Sequence, residues 1–206
     1  MKQYFHKDYL EVGIDEVARG CLAGRVYSAA VIWPKELDND IEHPVIKDSK
    51  KLSRKQRLIL RDYIEENAID FAVGWVDEKT IDKINILNAT IKAMHRALDK
   101  LNVDVDYIIV DGDKFKPYYK DGELIPYKCI IGGDRNYTPI ACASILAKVY
   151  HDEYIESLCE EHPELEKRYS WCSNMCYGTA KHIDGIKAFG ISPYHRKTFG
   201  ICKDYC

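Results

Sequence analysis

Two acidic residues stand inside a run that otherwise reads as a buried β-strand: Asp15 and Glu16 follow Val12-Gly13-Ile14 and precede Val17. A carboxylate taken out of water without a partner costs several kcal/mol, so a fold that buries this strand must bring it a cation or hydrogen-bond donors. Neighbouring residues of a strand point to opposite faces. Both acids can therefore serve one ion only where the strand ends, and the following Ala18-Arg19-Gly20 permits an end there.

Two further acids occupy comparable places. Tyr107–Val110 and Lys128–Ile131 are continuous apolar strands, the first running into Asp111-Gly112 and the second into Gly132-Gly133-Asp134. Open α/β sheets place their ligand crevices at such strand ends. Any one of these acids alone reads first as a capped turn or a surface ion pair. Four together make an all-oxygen ligand set suited to Mg²⁺ or Mn²⁺, with too little nitrogen or sulfur to favour zinc. Two such ions about 4 Å apart activate a water and stabilise the leaving oxygen in phosphodiester cleavage.

The remaining pattern supplies a frame for that site. Glu11–Val17 and Val26–Trp33 form a hairpin around a glycine-punctuated turn, Ser53 caps a basic helix to about Glu66, and Ile69–Val76 is a third strand. A helix from about Leu87 to Leu101 carries Leu87, Ile91, Met94, Leu98 and Leu101 on one face, which packs on the sheet. Thr138 is the expected cap, with Pro139 at the first helical position, of a helix apolar on nearly all sides that runs to about Leu158. From Pro163 the chain turns aromatic and cysteine-rich, with a short helix over Thr179–Phe189. The expectation is an α/β core over residues 1–165 and a small C-terminal subdomain over 166–206.

Lys and Arg number 30 against 33 Asp and Glu, a balance that does not announce a nucleic-acid binder. The distribution is more telling, because Lys47, Lys50, Lys51, Arg54, Lys55, Arg57 and Arg61 crowd one stretch beside a single acid, Asp48. Taken alone that run is a solvated helix face; beside a metal site it offers phosphates a surface. No apolar run approaches the roughly 20 residues of a membrane span, and the N-terminus lacks the continuous apolar segment of an export signal. The expected setting is therefore cytoplasmic, with no membrane association and reduced thiols. Four of the eight cysteines form two Cys-x3-Cys pairs, Cys172 with Cys176 and Cys202 with Cys206, which leaves a zinc or redox protein as one alternative.

Gly13-Ile14-Asp15-Glu16-Val17-Ala18-Arg19-Gly20 with Leu22-Ala23-Gly24 resembles the opening signature of type 2 ribonuclease H, ribonuclease HII. Asp48-Ser49-Lys50-Lys51-Leu52-Ser53, Ile86–Thr90, Val110-Asp111-Gly112, Gly133-Asp134 followed by Ala141–Lys148, Tyr177-Gly178-Thr179 and Pro193–Arg196 are similar to that family's later blocks, in order along nearly the whole chain. The resemblance implies a ribonuclease-H-like mixed sheet flanked by helices. It also implies cleavage of the RNA strand of RNA/DNA hybrids and incision at ribonucleotides embedded in duplex DNA, leaving a 3′-hydroxyl and a 5′-phosphate.

Carried over by position, Asp15, Glu16, Asp111 and Asp134 would hold two divalent ions, Mg²⁺ or Mn²⁺. Ala18-Arg19-Gly20 would touch the ribose 2′-hydroxyl, the group that separates RNA from DNA. Ser49 and Lys50 would hold a phosphate, and Tyr177 would stack on the sugar at the DNA side of the junction. His195 and Arg196 would be structural or would contact phosphate. A monomer is expected. The chain departs from the family pattern at Ala18 for glycine, Arg25 for proline, Asp113 for asparagine, Gly132 for lysine and Met175-Cys176 for Lys-Gly. An alanine at a position needing positive φ is strained. Loss of two lysines and gain of an acid should weaken phosphate attraction, with Arg25 restoring part of it. A second alternative is accordingly a protein that binds hybrids and has lost turnover.

Overall fold

The computed structural model describes residues 1–36, 43–46, 49 and 52–206. Glu11–Val17 (β1) and Val26–Ile32 (β2) pair antiparallel, Ile14 opposite Ala30. Arg54–Asn67 (α1) carries the expected cap: the Ser53 hydroxyl accepts from the Gln56 N–H, and the Gln56 side chain accepts from the Ser53 N–H. Asp70–Val76 (β3) lies antiparallel to β2. Glu78–Leu98 (α2) leads to Tyr107–Asp111 (β4), which lies parallel to β1. A small hairpin of Tyr118–Lys120 (β5) and Glu123–Ile125 (β6) precedes Tyr127–Ile130 (β7), parallel to β4. The sheet order is β3-β2-β1-β4-β7, a mixed sheet with the antiparallel strands at one side and the parallel strands at the other.

The strand period of two sends alternate side chains to opposite faces and so builds two cores. Val12, Ile14, Ala30, Ile32 and Val110 pack with Met94 and Leu98 of α2. Ala29 and Val31 face Cys142, Ala143 and Leu146 of Thr138–Glu161 (α4), with Leu60 and Ile64 of α1 beside them. Gly13 sets how close α4 comes, because a Cβ there would lie 2.4 Å from the Pro139 carbonyl carbon and 2.5 Å from the Ile140 nitrogen. Only a residue without a side chain lets the first turn of α4 touch β1.

Short helices fill the rest: Gly133–Asn136 (α3), Pro163–Tyr169 (α5), Trp171–Asn174 (α6), Ala180–Phe189 (α7) and a terminal 3-10 helix, Gly200–Tyr205. Leu165, Tyr169, Trp171, Cys176, Ile186 and Cys202 form a third core with Ala18, Cys21 and Ala23 of the β1–β2 loop and with Ile155, Leu158 and Cys159 of α4. The C-terminal segment thus grips the loop that follows Asp15 and Glu16. Among the described residues no helix is long and apolar enough to cross a membrane.

Three local expectations need correction. The second helix starts at Glu78 rather than Leu87, and Asn85, at φ 65° and ψ 166°, breaks it; its side chain caps the following segment by accepting from the Asn88 N–H. Leu87, in the first turn after the break, is 37% exposed and does not join the packing face. Thr138 is already helical and makes no cap, the cap position falling to Tyr137. The strand expected over Lys128–Ile131 is β7, which ends at Ile130, so Asp134 sits on α3 and not at a strand end.

Candidate active site

Ile14 of β1 is in register with Val110 of β4, so the next residues, Asp15 and Asp111, emerge side by side at the same end of parallel strands. Asp15 is 5% exposed. Its carboxyl is held well above the usual carboxylate range, first by burial and then by the neighbouring charges of Glu16 and Asp111. The Ser144 hydroxyl and the Glu16 N–H, 2.7 Å from Oδ1, oppose that shift by hydrogen bonding. Ser144 comes from the second turn of α4, which Gly13 admits to the sheet.

Asp111 receives the N–H groups of Gly133 at 2.7 Å and Asp134 at 3.4 Å on Oδ1, which ties α3 to the end of β4. A Cβ on Gly133 would stand 2.6 Å from the Ile140 Cδ1 and 3.4 Å from that same Oδ1. A side chain there would have to push the tip of Ile140 aside. Asp134 is 3% exposed, with Arg135 Nε 4.0 Å from its Oδ1. Glu16 pairs with Arg19 at 3.3 Å. The four acids therefore share one end of the sheet. An oxygen-only donor set that stores repulsion around a buried Asp15 fits a hard divalent cation, which would relieve it.

Around the acids, Ala18-Arg19-Gly20-Cys21 forms a turn closed by the Cys21 N–H on the Ala18 carbonyl at 3.3 Å. Ala18 adopts φ 71°, the left-handed region, so the strain foreseen for alanine is present. Arg196, fully buried, donates to the carbonyls of Arg19, Gly24 and Arg25 at 2.9–3.1 Å and fixes this loop. It is structural, not a phosphate contact. His195 is structural as well: its Nε2–H donates to His182 Nε2, which also accepts from Trp171 Nε1–H, while His182 Nδ1–H donates to the Tyr177 carbonyl. Burial, with His182 second, pushes His195 down to about 3.

Tyr177, 36% exposed, pairs its backbone with Cys21 and stands 3.9 Å from the position of a Cβ on Gly20. The Ala18–Cys21 turn and Tyr177 are thus brought together from residues far apart in sequence. Lys148, not among the residues expected from the sequence, stands beside this pair, its Nζ 5.7 Å from the Tyr177 ring centre and 2.8 Å from Asp152. The available signal was a lysine one turn beyond Ser144, closing the apolar first half of α4.

Other expectations shift. Lys50, with Lys47 and Lys51, lies outside the described residues. Ser49 is buried, its hydroxyl turned inward to Ser144 at 2.9 Å rather than out to a phosphate. The basic helix is no open phosphate surface at its arginines, since Arg54 pairs with Glu156, Arg57 with Asp152 at 3.8 Å and Arg61 with Glu153 at 3.0 Å, all on α4. Arg25 does not replace the missing lysines. Its guanidinium lies between the rings of Trp75, at 3.7 Å, and Tyr154, at 4.3 Å. Cys172 and Cys176 do not act as a pair, because Met175 and Cys176 both turn left-handed and Cys176 points into the core.

A family model described as ribonuclease HII matches residues 12–202. A ribonuclease HII of Christiangramia forsetii is 48% identical over 204 residues, covering 99% of this chain and 97% of that relative. The crystal structure of the ribonuclease H2 from Pyrococcus horikoshii superposes with a TM-score of 0.77 at 22% identity, over 95% of this chain and 96% of that one. That of Bst-RNase HIII in complex with Mn²⁺ gives 0.63 at 17% identity, over 95% and 68%.

Proposed function

The chain belongs to the ribonuclease HII family, and from that premise we propose that it incises duplex DNA 5′ of embedded ribonucleotides as well as cleaving RNA/DNA hybrids, by a two-metal hydrolysis that leaves a 3′-hydroxyl and a 5′-phosphate. It is a ribonuclease H, an endonuclease acting on the RNA of such hybrids. The observation that carries the finer reading is Asp15, buried at the end of β1 and pressed by Glu16 and Asp111. Two divalent ions, Mg²⁺ or Mn²⁺, held by Asp15, Glu16, Asp111 and Asp134, would supply an activated water and stabilise the leaving oxygen.

The protein's own groups do the rest. Ser144 orients the Asp15 carboxyl from α4, and Asp111 anchors α3 so that Asp134 faces the same crevice. The Ala18-Arg19-Gly20 turn, braced by Arg196, presents its backbone to the ribose 2′-hydroxyl. Tyr177, fixed through His182, lays its ring against the neighbouring deoxyribose. Lys50 would hold a phosphate, with Ser49 steadying Ser144 from below. Residues 166–206 act as the substrate-contacting part of a monomeric enzyme working in the cytoplasm.

The test is a duplex with one ribonucleotide, incubated with Mg²⁺ with and without chelator. A nick on the 5′ side of the ribonucleotide, abolished by chelator, is expected. Asp15→Asn should lose more than the roughly 10–100-fold that outer-shell partners of a metal cost. Binding of the duplex without any nick would favour the protein that has lost turnover, and normal cleavage by Asp15→Asn would overturn the site.

A further inference from the structure

Far from the carboxylates, a second set of ligands converges. One sulfur each of Cys159 and Cys172 and a carboxylate oxygen of Glu166 lie within 4.8 Å of one another, the one such trio of His, Cys, Asp or Glu ligands among the described residues. Cys159 belongs to the end of α4, Glu166 to α5 and Cys172 to α6. Fifteen residues of α4 separate Cys159 from Ser144, about 22 Å at the helical rise, so the trio is distinct from the acidic crevice.

The three groups are held, not merely adjacent. Glu166 Oε2 accepts the Cys172 N–H at 2.7 Å, so the carboxylate is aimed by the residue whose sulfur shares the site. Cys159 is locked in the C-terminal core. The trio opens into a cleft of about 600 Å³ that Arg54, Glu156 and Glu160 also line, with room for a fourth ligand. Two sulfurs and one carboxylate exclude Mg²⁺ and Mn²⁺ on grounds of softness and suit zinc, which takes sulfur and carboxylate ligands in tetrahedral sites.

We propose that Cys159, Glu166 and Cys172 bind a zinc ion whose fourth position faces the cleft. Both cysteines bind as thiolates and their protons pass to solvent, with no change of oxidation state. The ion would join α4 to α5 and α6 and so brace the segment that leads to Tyr177. Cys176 and Cys206 take no part: Cys176 points into the core, and Cys206 Sγ donates to the carbonyls of Lys197 and Cys202.

The experiment uses the full chain, metal-free and kept reduced, with excess Mg²⁺ to fill the acidic crevice, titrated with Co²⁺ as a coloured substitute for zinc. A sulfur-to-cobalt charge-transfer band that saturates at one ion per chain and is bleached by Zn²⁺ is expected. Cys172 is exposed, so Cys172→Ala should fold normally and lose the band. Glu166→Gln should weaken cobalt binding at least tenfold, and Cys206→Ala should leave it unchanged. In the parent chain Zn²⁺ should raise the Tm, an effect absent in Cys172→Ala. The proposal is overturned if no charge-transfer band forms, if it survives in Cys172→Ala, or if it is lost in Cys206→Ala.

Discussion

Ser144 Oγ lies 2.9 Å from Ser49 Oγ and is at the same time a hydrogen-bond partner of the Asp15 carboxyl. One hydroxyl on α4 therefore links the start of the basic run to the buried acid. Hydrogen bonds to charged groups contribute about 1.5–3 kcal/mol. Ser144→Ala should cut the nicking rate roughly tenfold or more while the fold is retained, whereas Ser49→Ala, which reaches Asp15 only through Ser144, should cost clearly less. Equal losses from the two variants in the nicking assay would contradict this order.

Ala18 holds φ 71° in the turn proposed to meet the ribose. A left-handed conformation costs an L-residue about 1–2 kcal/mol, which glycine avoids. Ala18→Gly should therefore gain about 1 kcal/mol in urea unfolding and about 2–4 °C in Tm, with incision at a single ribonucleotide maintained or improved. A lower Tm would show that the alanine methyl's burial outweighs the strain.

The buried histidine pair makes stability pH-dependent. His195 falls to about 3 in the fold through burial and then His182, against an ordinary 6.5. The unfolded chain consequently binds the extra proton between those values, so this contribution is complete above about pH 6.5 and is lost as pH drops toward 3. Urea unfolding at pH 7, 6 and 5 should show stability declining by up to about 1.4 kcal/mol per unit. A flat profile over that range would exclude a neutral, buried His195.

Arg25 stacks between Trp75 and Tyr154 rather than facing phosphate. Such cation–π contacts contribute about 0.5–2 kcal/mol. Arg25→Gln should lower the Tm and leave the salt dependence of hybrid binding where it was, since the slope counts phosphates neutralised. A slope reduced by about one would mean that Arg25 meets the backbone of the nucleic acid after all.

Much of this protein is legible along the chain, because strand alternation, caps and punctuation depend on neighbours a few residues apart. β1 to β4, the capping box at Ser53 and the run of small residues in α4 follow from such local rules, and so does the suspicion attached to Asp15 and Glu16. What packing decided involves residues distant in sequence: α3 carrying Asp134 to Asp111, the basic arginines neutralised by acids of α4, Arg25 taken between two rings, and Cys172 meeting Cys159 instead of its near neighbour Cys176. No period or spacing encodes these, since each depends on the distance and rotation at which helices settle on the sheet, and at Gly13 that distance is set by a missing side chain.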